Sequence, residues 1–91
     1  MNKQRRKELS EAVTLLNEAQ EKIEAASVAI ESVKDEEEEC FDNLPEGIQD
    51  SERGELLEEN VSELDDVVSE LESIRDTLEE QVGAVQNVID K

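Results

Sequence analysis

From Leu57 to the end of the chain, apolar residues recur at alternating steps of four and three: Leu57, Val61, Leu64, Val68, Leu71, Arg75, Leu78, Val82, Val85 and Ile89. Nine of these ten are aliphatic, a repeat over five heptads that fits an α-helix with one buried stripe and no strand. In heptad notation Leu dominates position d and Val position a, with Arg75 the one intruder at a. A third column, Val67, Ile74 and Val88, widens the stripe to the breadth of a bundle helix.

The first half follows the same logic with smaller side chains. Leu9, Leu16, Ile23, Ile30 and Leu44 recur every seven residues, interrupted by Glu37. Ala12, Ala19, Ala26, Val33 and Cys40 form a parallel column, and both columns are expected to face the second helix. Between the halves, Pro45 disfavours helical geometry at Leu44, and Gly47 follows. Ser51 suits an N-cap, with Glu52 and Glu55 placed where the helix dipole favours carboxylates. The chain therefore reads as all-α: one domain over residues 1–91, with helix 1 over 3–43, a hinge at 44–51 and helix 2 over 52–90. So short a hinge folds the helices back into an antiparallel, coiled-coil-like hairpin. Facing residues should have numbers summing to about 97, which makes a rod of roughly 50 to 60 Å plugged at the hinge by Phe41, Leu44 and Ile48.

A lone hairpin buries a single seam, and Val67, Ile74, Val88 and Leu15 would remain partly exposed. Dimerisation into a four-helix bundle through these residues is expected, the other option being a monomer that leaves them on its surface.

Charge supplies the second constraint. Between Asp35 and Glu80 lie 20 Asp and Glu residues against only Arg53 and Arg75, and the rest of the chain sums to zero. High charge with Phe41 as the sole aromatic also fits disorder, but the periodicity argues against that. No apolar run approaches the roughly 20 residues of a membrane span. The basic start Lys3, Arg5, Arg6 and Lys7 leads into an amphipathic segment, so it reads as a frayed turn and not a secretory signal, and a cytoplasmic location is expected.

The chain offers little to catalysis. It has no histidine and one cysteine, so the usual nucleophile, base and soft-metal arrangements cannot be assembled, and no enzyme, cofactor or metal is expected. The acids of Asp35 to Glu39 point in different directions on a helix, so they do not converge on one ion. Glu36 and Glu39 facing Glu59 or Glu63 is the nearest approach to a Mg²⁺ site, but the nucleotide-holding residues such a site needs are missing. Cys40 reads as a small apolar contact. Arg75 is expected to snorkel toward Glu72 and Glu79, and Glu37 to be exposed. Arg53 could pair with Asp42, Asp50 or Glu46 and fix the loop's shape, but the favoured reading is that the hinge residues only cap helices and plug the tip.

The residues Asp35-Glu36-Glu37-Glu38-Glu39-Cys40-Phe41-Asp42-Asn43-Leu44-Pro45-Glu46-Gly47-Ile48-Gln49-Asp50-Ser51-Glu52-Arg53-Gly54-Glu55 match a hinge signature in order as well as in composition. In this stretch the chain resembles small acidic helical-hairpin proteins of bacteriophages and mobile elements. The resemblance implies a phage or prophage origin, the host cytoplasm as location, and no established activity. Two roles follow as expectations. One is an inhibitory interaction protein whose carboxylates imitate nucleic-acid phosphates and occupy a basic host protein, of nucleic-acid-binding or defence type, without touching nucleic acid or membrane. Its expected contact residues are Asp35, Glu36, Glu38, Glu39, Asp42, Glu46, Asp50, Glu52, Arg53, Glu55, Glu58 and Glu59. The other is a dimeric helical bundle serving as scaffold or assembly factor, its acidity a solvated face.

Overall fold

The computed structural model describes residues 1–91 as 90% helix with no strand. Helix α1 spans Lys3–Asp42, a four-residue α2 spans Glu46–Gln49, and α3 spans Glu52–Ile89. The long helices lie against each other along a molecule of 69 × 14 × 14 Å. Their cross-contacts link Lys34 with Asp65, Glu24 with Arg75, and Gln20 with the Arg75 carbonyl, so the two helices run in opposite directions. These contacts fall within two residues of the expected register.

Each helix end has a local reason. The Asn2 side chain caps α1 by accepting from the Arg5 N–H at 2.8 Å, so the basic start forms a capped turn and not a frayed one. With Leu9 level with Ile89, residues Lys3 to Glu8 overhang the end of α3, which helps explain a rod longer than 60 Å. At the other end, Asn43 donates to the Glu39 carbonyl at 3.0 Å and closes α1. Ser51 caps α3 by accepting from the Gly54 N–H at 3.5 Å, with Glu52 and Glu55 in the first turn.

The seam follows the heptads of α3 as read from its sequence, but α1 presents a different face. Its half-buried positions are Leu9, Val13, Leu16, Gln20, Ile23, Ser27, Ile30, Lys34, Glu37 and Phe41, continued by Leu44 beyond its end, with Ala12 and Ala19 half-buried beside them. The second seam column is thus Val13, Gln20, Ser27, Lys34 and Phe41, one residue away from the expected column of Ala12, Ala19, Ala26, Val33 and Cys40. Ala26, Val33 and Cys40 are exposed, so Cys40 makes no buried apolar contact. Polarity explains the misreading: Gln20, Ser27 and Lys34 hold seam positions while the more apolar column flanks them. Glu37 is also half-buried in the seam and not exposed. The core is correspondingly thin, with Val68, only 6% exposed, as its one fully buried apolar residue.

The hinge is a packed knot. Gln49 turns its side-chain amide onto the carbonyls of Phe41 and Leu44, at 3.3 and 3.4 Å, and ties α2 to the end of α1. Ser51 donates its hydroxyl to the Ile48 carbonyl. Gly54 is buried against the Gln49 backbone, where any Cβ would overlap the Gln49 carbonyl, so only glycine lets α2 seat on the first turn of α3. Phe41 and Leu44 are half-buried here, whereas Ile48 faces solvent and does not plug the tip. Arg53 is exposed and makes no ion pair, so the pairing with Asp42, Asp50 or Glu46 that the sequence allows is not formed; the hydrogen bonds of Gln49 and Ser51 hold the loop instead.

Candidate partner interface

The corrected phase of α1 determines what each side of the rod displays. In an antiparallel pair, residues one step after position d (position e) face each other along one flank, and those one step before position a (position g) face each other along the opposite flank. On the first flank α1 carries Glu24, Glu31 and Glu38, and α3 carries Glu58, Asp65, Glu72 and Glu79, all exposed. On the second, α1 carries Ala12, Ala19, Ala26, Val33 and Cys40, and α3 carries Asn60, Val67, Ile74, Gln81 and Val88. The first flank is a double row of carboxylates, and the second holds no charge along these columns.

Two cations lean from the seam into the acidic flank. Lys34, its side chain 16% exposed, donates from Nζ to Asp65 at 3.3 Å. That hydrogen bond raises the lysine above its ordinary value, against the opposing effect of partial burial. Arg75 reaches Glu24 at 2.5 Å and Asp76 at 3.7 Å, crossing the seam instead of snorkelling to Glu72 and Glu79. The Glu24 hydrogen bond likewise raises the guanidinium. An open groove of about 560 Å³ lies on this flank near the hinge, lined by Lys34, Glu38, Phe41, Asp42, Glu58, Val61, Ser62 and Asp65. Six of its eight lining residues are polar or charged, and it lies open to solvent.

All twelve residues expected at a partner interface are exposed, but they do not form one patch. Glu38, Asp42 and Glu58 come together at the groove. Asp35 and Glu55 border the same flank. Glu36, Glu39, Glu52 and Glu59 point to other faces, and Glu46, Asp50 and Arg53 ring the hinge tip. No three His, Cys, Asp or Glu side chains are grouped to hold a metal ion. The sequence reading missed Glu24, Glu31, Asp65, Glu72 and Glu79. The heptad phase could have found them, had the polar seam column of α1 been recognised. The residues expected at a dimer seam, Val67, Ile74 and Val88, share the uncharged flank at 43, 41 and 37% exposure, with Leu15 at its edge. No helix is long and apolar enough to cross a membrane. Compared with family models, with curated proteins and with solved structures, the chain gives no match.

Proposed function

We propose that this chain is a non-enzymatic acidic interaction protein: a two-helix hairpin whose hinge half binds a basic protein and inhibits it by imitating the charge of nucleic acid. Charge density carries the reading. Residues 27–71 hold 17 Asp and Glu against Lys34 and Arg53, a net −15. They occupy about 27 Å of paired helix at 1.5 Å per residue, roughly one net charge per 2 Å, close to the roughly 1.7 Å of duplex DNA. A cationic groove shaped for a phosphate backbone would meet a similar field here, and counterion release would favour docking at low salt. The hinge residues 35–55, with their resemblance to proteins of phages and mobile elements, support a host nuclease, defence effector or transcription component as the class of target, met in the host cytoplasm.

The test is competition. The protein should displace duplex DNA from basic nucleic-acid-binding proteins of the host at low salt and lose that ability steeply as salt rises. A host partner that is neutral, or whose capture is insensitive to salt, would count against mimicry. A second reading, a homodimeric four-helix bundle acting as scaffold or assembly factor, is favoured by one observation: the uncharged flank opposite the acidic one.

A further inference from the structure

The geometry points to a second copy of this chain as the occupant of the uncharged flank, docked with its hinge at the opposite end of the rod. This rests on the second reading above and specifies the interface and its orientation. The strip runs from Ala12 to Cys40 on α1 and from Asn60 to Val88 on α3, a span of 28 residue steps on each helix. At 1.5 Å per residue this is about 42 Å, and across a rod 14 Å wide it amounts to about 600 Å² per copy. Two such faces meeting approach the roughly 1,200 Å² at which specific interfaces begin.

Two symmetric ways of joining the strips exist, and charge separates them. With hinges at the same end, α1 of one copy faces α3 of the other at equal height. Glu36 then meets the Glu63 of the second copy, twice over by symmetry, and the two −15 halves lie side by side. With hinges at opposite ends, the two-fold axis passes near Ala26 and Ile74, and each helix faces its own counterpart. Glu36 then lies opposite Leu15 of the second copy, Glu63 opposite Ala84, and Glu70 opposite Thr77, so no like-charged pair forms at the strip edges. The basic turn of Lys3, Arg5, Arg6 and Lys7 overhangs toward the acidic hinge of the other copy. The acidic flanks face outward on both sides, leaving each free for a basic partner.

Cys40 is the chain's only cysteine and stands at the hinge end of the strip, so a spin label there reads the arrangement, with the mass of the labelled protein measured beside that of the unlabelled one to show that the label leaves the dimer in place. Sedimentation equilibrium of the full chain at about 100 μM should give the mass of a dimer; a monomer overturns the proposal. In the dimer, Cys40 lies opposite Ala12 of the second copy, and dipolar spectroscopy should report a label separation of about 42 Å. A separation near 15 Å, the diagonal of a bundle with 8–10 Å helix spacings, would overturn the orientation while leaving self-association standing. Ile74→Lys would place two lysines together at the axis and should weaken the dimer at least 100-fold, by order of magnitude, with helical content unchanged. Val28→Lys, on the other side of α1, should leave the dimer intact; equal dimerisation of both variants would also overturn the proposal.

Discussion

The hinge half and the terminal half of the rod solve the same packing problem under different loads. The terminal half, with a net −3, joins its helices through aliphatic layers, Leu9, Val13, Leu16 and Ile23 against Leu78, Val82, Val85 and Ile89. The hinge half carries five times that net charge, and its seam includes Ser27, Lys34 and Glu37. It compensates with the knot, Gln49 hydrogen-bonded to the end of α1 and Gly54 against the Gln49 backbone, and with the fully buried Val68 further along α3. Order in the charged half therefore comes from short-range fit, which tolerates repulsion because backbone contacts do not depend on net charge.

The largest expected effect breaks the knot. Gly54→Ala places a Cβ against immobile backbone and should cost about 1–3 kcal/mol or more, lowering the melting temperature by roughly 10 °C or beyond in thermal circular dichroism. An unchanged melting curve would mean that α2 is not seated as described. Next, Glu37→Leu removes a half-buried carboxylate from the seam of the charged half and adds apolar contact. It should stabilise the protein by about 1–2 kcal/mol. Gln20→Leu, its counterpart in the terminal half, should gain less, because it gives up the hydrogen bond to the Arg75 carbonyl. Gly83 has open space where a Cβ would stand, so Gly83→Ala should stabilise α3 by about 0.5–1 kcal/mol; a loss would point to a close approach at that site.

The smallest effect separates the halves by pH. Lys34 is raised in the folded state by its hydrogen bond to Asp65, so its contribution is fully present below the ordinary lysine value and is lost as pH rises through the higher folded value. Arg75, which ties the terminal half to Glu24, keeps its charge throughout that range. As pH rises above about 10.5, the melting temperature should fall slightly more in the wild type than in Lys34→Met, with equal slopes counting against a role for the Lys34–Asp65 pair.

The contrast also shows what the sequence discloses. The stripe of α3 was legible because nine of its ten seam residues are aliphatic, and so were the end of α1 before Pro45 and the cap at Ser51. The α1 face was not, because polar Gln20, Ser27 and Lys34 hold seam positions, Gln20 and Lys34 by virtue of partners on α3 that only the fold supplies. That one-residue error in phase concealed the acidic flank and placed the alanine column in the seam, where only Ala12 and Ala19 are half-buried and Ala26, Val33 and Cys40 are exposed on its flank. The hinge helix and the fit of Gly54 were equally hidden, since they depend on where the Gln49 backbone comes to rest.

Because the knot fixes the rotational phase of α3 relative to α1, it also constrains how such a chain can change over evolutionary time. A single residue inserted beyond Gly54 turns everything after it by about 100°, carrying carboxylates into the seam and the valines onto the acidic side. Length can vary without that rotation only in matched heptads on both helices, or freely at the open end where α1 already overhangs. The hinge half would then be inherited as a fixed unit, with the terminal half the part free to lengthen or shorten.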